Sequence, residues 1–222
     1  MKSLSTLMSP KRNWMCCPLV WALLFAHAPA GFGASVQLND SDGQPLADAV
    51  VIVPGLAKVA VDTPAIMDQV DKSFAPHVMS IAKRQLVSFP NSDDIRHHVY
   101  SFSQAKPFEI KLYSGVPSQP VLFDQAGLVV LGCNIHDQMR GYILVTDNEW
   151  SAVTDANGRL TLPAAAPSQV MVWHPRQTGE INQLHGVSLN HDTGLLVFPV
   201  AIEPEVPRQA NSFKNRFKHH HD

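Results

Sequence analysis

"LVVLGCNIHDQMRGYILV", residues 128–145, decides how this chain is read. Two apolar runs, 128–131 and 141–145, flank a short polar connection, which is the pattern of a β-hairpin. The connection carries a cysteine, a histidine and a methionine three residues apart each time: Cys133, His136 and Met139. A tight loop between two strands can aim a thiolate, an imidazole and a thioether at one end of a sandwich. The spacing alone does not separate a metal site from three residues of a turn, because the chain holds eleven histidines and seven methionines.

The rest of the chain fits the hairpin. Of 222 residues, 45% are hydrophobic and 16% charged, enough to bury one large or two small cores and too apolar for a disordered chain. Seventeen prolines and twelve glycines cut it into short segments, and no stretch carries a long amphipathic helical period, so an all-β chain is expected.

Residues 1–30 read separately. Lys2, Lys11 and Arg12 precede an uncharged apolar run from Trp14 to Ala28 that ends in small residues, the pattern of a secretory signal with a cut after Ala30. An uncleaved anchor is the rival reading, although the run is shorter than the roughly 20 apolar residues of a spanning helix. Beyond that segment no membrane association is expected. Export to the periplasm would remove three cations and no acids, moving the formal charge from −2 to −5, and no basic patch points to nucleic acid. It would also remove Cys16 and Cys17. Cys133 is then the single cysteine in an oxidising compartment, either a buried inert residue or a metal thiolate.

Downstream, alternation at 35–39, a turn at Asp42-Gly43-Gln44-Pro45 and an apolar run at 49–53 predict a β-hairpin. Residues 151–175 repeat the style, with an Asn157-Gly158 turn, alternating Leu160 and Leu162, and a strand over 170–173. Between them, about 64–148, short β-rich runs separated by turns at 90–93 and 114–115 give the rhythm of a Greek-key sandwich. The boundaries expected are 1–30 for the signal, 31–63 and 149–203 for two parts of a flanking sandwich, 64–148 for the central domain, and 204–222 for a polar tail. An inserted domain and two tandem sandwiches sharing a strand both fit.

Soft sulfur with imidazole selects copper over magnesium or calcium, and two histidines, one cysteine and a weak axial methionine describe a blue-copper site. Zinc would want further cysteines at CxxC spacing. A second histidine is needed from elsewhere in the sheet, and "NSDDIRHHVYSF" offers His97 and His98. Neighbours on a strand face opposite sides, so only one of the two can reach the metal.

Here a resemblance enters. "VSFPNSDDIRHHVYSF" (87–102) and "CNIHDQMRGYILV" (133–145) resemble the cupredoxins, most closely the amicyanin type with its short ligand loop and Arg-Gly after the methionine. "DGQPLADAVV" (42–51) and "TDANGRLTLP" (154–163) resemble the carboxypeptidase-regulatory-like, transthyretin-like domain, in which the two features lie close together; here roughly ninety residues intervene. The fold implied is an all-β, Greek-key cupredoxin sandwich inserted in, or flanked by, a second small Ig/transthyretin-like β-sandwich. The resemblance implies one copper ion held by His97, Cys133, His136 and Met139, with Asn134 supplying a backbone N–H to the thiolate. His98 stands where such proteins often have Asn, and it is the neighbour that a register shift of one would make the ligand.

The whole arrangement, with "WHPR" at 173–176, also resembles bacterial methylamine utilization proteins. That implies a periplasmic type 1 copper protein acting as a one-electron carrier, with a quinoprotein amine dehydrogenase or a cytochrome c as redox partner. Electrons would cross the edge of His136, with Ile135 and Gln138 as docking residues, and Val99, Leu131 and Ile135 burying the centre. No open coordination position or general base reads out of the sequence, so no enzyme activity is expected. Copper delivery without redox cycling, or an interaction module with a structural metal, are the alternatives. Other residues read blandly: Trp173 as core, His174 as a strand end, His77 and Met79 as packing, and His219 to His221 as a solvated tail. Glu109, Glu149, Asp93 and Asp94 show no paired-carboxylate logic.

Overall fold

The computed structural model describes residues 33–58, 61–163 and 168–204. The signal expected over 1–30, with Cys16 and Cys17, and the histidines 219–221 of the expected tail lie outside the described residues. Among the described residues the chain is all-β, as expected, and no helix is long and apolar enough to cross a membrane.

In chain order the strands are β1 (Ala34–Asn39), β2 (Val50–Ala57), β3 (Ala65–Ile66), β4 (Asp68–Val70), β5 (Ser73–Ala75), β6 (Val78–Ala82), β7 (Gln85–Ser88), β8 (His97–Ser101) and β9 (Phe108–Tyr113). Then follow β10 (Val121–Phe123), β11 (Gly127–Cys133), β12 (His136–Thr146), β13 (Glu149–Val153), β14 (Arg159–Leu162), β15 (Gln169–Trp173), β16 (His185–Ser188) and β17 (Leu195–Val197). The outer parts of the chain pair with each other, in sheets ordered β14-β1-β17 and β13-β2-β15-β16. The central part forms β6-β12-β11-β8-β9, β10-β7-β3 and the β4-β5 ribbon. The central segment leaves after β2 and returns at β13, where these two strands pair antiparallel and the Lys58 N–H donates to the Asn148 carbonyl at 2.8 Å.

Three apolar clusters hold four sheets in a stack. Val36, Leu38, Leu160 and Leu196 meet Val51, Val53, Val170 and Val172 between the two outer-chain sheets. Val87 and Phe123 meet Val99, Val129, Leu131 and Ile143 between the two central sheets. The third cluster joins the pairs: Val50, Ile52 and Trp173 from one side pack on Val78 and Leu144 from the other. This explains the unbroken apolar run of β2. Val51 and Val53 point into one core and Val50 and Ile52 into another, so the strand is buried on both faces and does not alternate.

The double burial also corrects an expectation. The turn at 40–44 forms, with the Asp40 N–H on the Gln44 carbonyl at 2.8 Å and Gly43 at φ 79°, yet β1 and β2 are not a hairpin. β1 pairs with β14 and β17, whereas β2 pairs with β13 and β15 in the facing sheet. A strand with two apolar faces lowers its free energy most in the middle of an inner sheet, and that outweighs the proximity of its sequence neighbour.

His174 follows the last residue of β15, the strand-end position expected, and is 1% exposed. Its Nε2 donates to the Ala47 carbonyl at 3.1 Å and its Nδ1 accepts the Arg176 N–H at 3.1 Å, so both nitrogens are satisfied only in the neutral ring. Burial, aided by the Arg176 charge, pushes its pKa down to about 4. The unfolded chain therefore binds one proton more between pH 6.5 and 4, and the stability this group contributes is present above 6.5 and lost as pH falls through that window. Across it the apoprotein should lose about 3 kcal/mol from this residue. Urea midpoints against pH check this: His174→Gln, which does not titrate, should flatten the slope, and an unchanged slope would refute it.

Candidate metal centre

His97 opens β8, whose exposure alternates, so His97, Val99 and Ser101 are buried while His98 and Tyr100 face the other way. His97 is completely buried. Its loop is set by Asn91, whose Nδ2 donates to the carbonyls of Ile95 (2.9 Å) and Tyr113 (3.0 Å) and whose Oδ1 accepts the Asp93 N–H (3.1 Å). That turn delivers the Asp93 carboxylate to His97 Nε2 at 2.6 Å.

Cys133 ends β11, where Gly132 pairs with Tyr100 of β8. A Cβ at Gly132 would come within 2.8 Å of the Tyr100 ring, so the glycine leaves room for that ring to lie over the end of β11. The connection after Cys133 differs from the loop expected. Pairing runs to the end: Cys133 lies opposite His136 across a two-residue turn, and Gly132 opposite Arg140. Residues 137–139 are thus extra residues in one strand, a bulge that leaves Asp137 and Gln138 exposed and Met139 2% exposed beside Cys133 in the apolar cluster.

These elements bring three donors together. Cys133 Sγ lies 3.7 Å from His97 Nδ1 and 3.8 Å from His136 Nδ1, and the donor atoms of the three residues all lie within 4.8 Å of one another. With imidazole and thiolate bonds of about 2.0 to 2.3 Å, donors at these separations can share one ion. Asp93 selects the right nitrogen of His97: an ionised carboxylate only accepts, so Nε2 carries the hydrogen and Nδ1 keeps its lone pair facing sulfur. The Asp93 pKa is lowered although burial, its largest influence, raises it; N–H groups of Lys72 and Asp71 and the His97 ring together prevail. The His136 pKa is lowered by burial first and then by the charges of His97 and Lys72, which favours the neutral ring that a metal needs.

Several expected roles fall elsewhere. His98 bonds Glu109 at 2.9 Å on the opposite face of β8 and does not support the centre; Asp93 does. Asn134 is exposed, and among the described residues the polar partners of Sγ are the two ring nitrogens, not an Asn134 N–H. Val99 and Leu131 bury the centre, but Ile135 is 50% exposed at the turn, beside exposed Gln138. His77 bonds Asp48 at 3.0 Å while Met79 enters the core, so they share no site. Asp93 is the residue that sequence reasoning passed over. The signal was present in "NSD" ahead of the strand, an Asx turn that ends four residues before His97.

No family model and no curated protein matches the chain. Among solved structures, the reduced Cu(I) form of an amicyanin variant at pH 4 is similar over 43% of this chain and 98% of its own, with 16% identity and a TM-score of 0.35. An oxidised amicyanin variant gives the same coverage and identity. The copper-containing nitrite reductase of Thermus scotoductus SA-01 is similar over 49% of this chain, at 26% identity and a TM-score of 0.36, and this chain spans about a quarter of that enzyme, 28% of its length. The described chain is a stack of β-sandwiches with a His97–Cys133–His136 cluster, two of its residues buried and His136 partly exposed, able to hold a metal ion.

Proposed function

We propose that the cluster is a type 1 copper centre and that the protein is a one-electron carrier exported to the periplasm. The observation that carries this reading is the pair of Nδ1 atoms at 3.7 and 3.8 Å from one buried cysteine sulfur. One thiolate and two imidazoles are a soft-to-borderline set suited to copper, with Met139 as the weak fourth donor. Copper held there would alternate between Cu(I) and Cu(II) and so pass single electrons.

The chain's own residues supply the rest. His97 is fully enclosed and locked by Asp93, Cys133 is fixed by strand pairing, and Met139 is held in the core, so the donors need little rearrangement between oxidation states. His136 is the donor with partial exposure, beside exposed Ile135 and Gln138, and this edge is where a small redox partner would dock. A quinoprotein amine dehydrogenase or a cytochrome c is the class of partner proposed. The protein would catalyse no reaction of its own.

Titrating purified apoprotein, residues 31–222, with Cu(II) tests the reading. One equivalent should produce the intense visible thiolate-to-copper absorption, bleached by ascorbate and restored by ferricyanide. Copper bound without that band would replace the carrier with a delivery protein, and no binding at all would leave a β-sandwich interaction module.

A further inference from the structure

The tip of the β4–β5 ribbon places a lysine, Lys72, in a conformation that its residue type does not favour. Asp71 and Lys72 occupy the two central positions of the turn, both left-handed, at φ 51° and 57°. Asn-Gly or Gly-Gly is the usual choice for a turn with two positive φ values, and Lys has no intrinsic reason to be there. What holds it is the Asp93 carboxylate. Oδ1 accepts the Asp71 N–H at 2.7 Å and Oδ2 accepts the Lys72 N–H at 2.9 Å, while Oδ2 also meets His97 Nε2 at 2.6 Å.

The grip is reciprocal. Asp68, at the start of β4, accepts the Ser92 N–H at 3.2 Å and its hydroxyl at 2.7 Å, and the Gln69 carbonyl accepts the Ser92 N–H at 3.0 Å. On the inner side Phe74 of β5 packs against Gly141 of β12, the strand that begins with His136; a Cβ there would lie 2.8 Å from the Phe74 side chain. The ribbon is therefore tied to the loop before His97 and braced on the strand that carries His136.

We propose that the Asp71–Lys72 tip is a positioning device for the metal centre. Its two left-handed N–H groups orient the Asp93 carboxylate, and Asp93 in turn holds His97 as the Nε2–H tautomer with Nδ1 facing Cys133. Asp93 acts through His97, and the tip acts through Asp93. The inference rests on the metal reading of the cluster, but its first readout needs no metal.

Two substitutions at one position isolate the backbone effect. Lys72→Gly and Lys72→Pro both delete the ammonium group; glycine keeps the N–H and takes the left-handed conformation freely, whereas proline has no N–H and is fixed at φ near −65°. In 15N-labelled apoprotein, His97 should stay the Nε2–H tautomer in the wild type and in Lys72→Gly, and become a mixture in Lys72→Pro. Copper affinity should be about 10–100-fold weaker in the proline variant than in the glycine variant, the usual cost of losing the group that orients a ligand. The same tautomer and the same affinity in both would overturn the proposal.

If Lys72→Pro does not fold, as circular dichroism would show, Asp93→Asn serves instead. Hydrogen exchange at the Lys72 amide should then accelerate and the His97 tautomer should become mixed; wild-type exchange and tautomer would overturn the proposal. A wild-type protein with the expected tautomer and no affinity for copper supports the clamp and overturns the copper reading, so the two failures are distinguishable.

Discussion

Cys133→Ser is expected to abolish the visible absorption of the copper-loaded protein completely while leaving the fold intact. The band requires sulfur-to-copper charge transfer, and a serine hydroxyl stays protonated at neutral pH and offers no soft donor. The fold should survive because serine is close to cysteine in size and leaves the pairing of β11 with β12 and β8 in place. The histidine pair sharpens the test. His97→Ala should remove the band, whereas His98→Ala, on the far face of β8 and bonded to Glu109, should keep it. Absorption spectra of the three copper-loaded variants decide: a band that persists in His97→Ala and disappears in His98→Ala would reverse the assignment, and one that survives Cys133→Ser would end it.

Trp173→Ala is expected to be the most destabilising single change away from the metal. The side chain is fully buried between the outer-chain and central sheets, against Val50, Ile52, Val78 and Leu144, and its indole N–H donates to the Ile181 carbonyl. Truncation opens a cavity where four strands from two sandwiches meet, a loss of about 3–5 kcal/mol, against a total stability of roughly 5–15 kcal/mol for a typical domain. Because cluster residues Val78 and Leu144 belong to the same strands that build the central sandwich, the two sandwiches should uncouple before the centre is disturbed. Urea unfolding followed by circular dichroism and by copper absorption should show two separated transitions in the variant. Coincident transitions with a shift under about 1 kcal/mol would mean that the interface contributes little.

Legibility followed sequence distance. Cys133, His136 and Met139 could be picked out because seven consecutive residues contain them, and the apolar runs on either side announce a paired hairpin. Even so, the bulge that buries Met139 and leaves Gln138 in solvent was not legible, because it depends on Gly132 facing Arg140 across the ladder. The flanking turns at Gly43 and Gly158 were readable from residue type, since both require positive φ. Which strands those turns join was not.

By itself, then, the sequence determined the all-β class, the turn positions and a donor set of thiolate, imidazole and thioether, because residue type and local spacing are sufficient for each. Tertiary structure decided what depends on chain segments far apart in sequence. It turned His97 inward and His98 outward by setting the face of β8 against the core, and it made Asp93 the partner of His97. It separated β1 from β2 by giving β2 two apolar neighbours, and it brought the Asp71–Lys72 tip to the loop before β8. The physical reason is the same in each case: a side chain's alternation is local, but which of its two faces is dry depends on the sheet that packs against it.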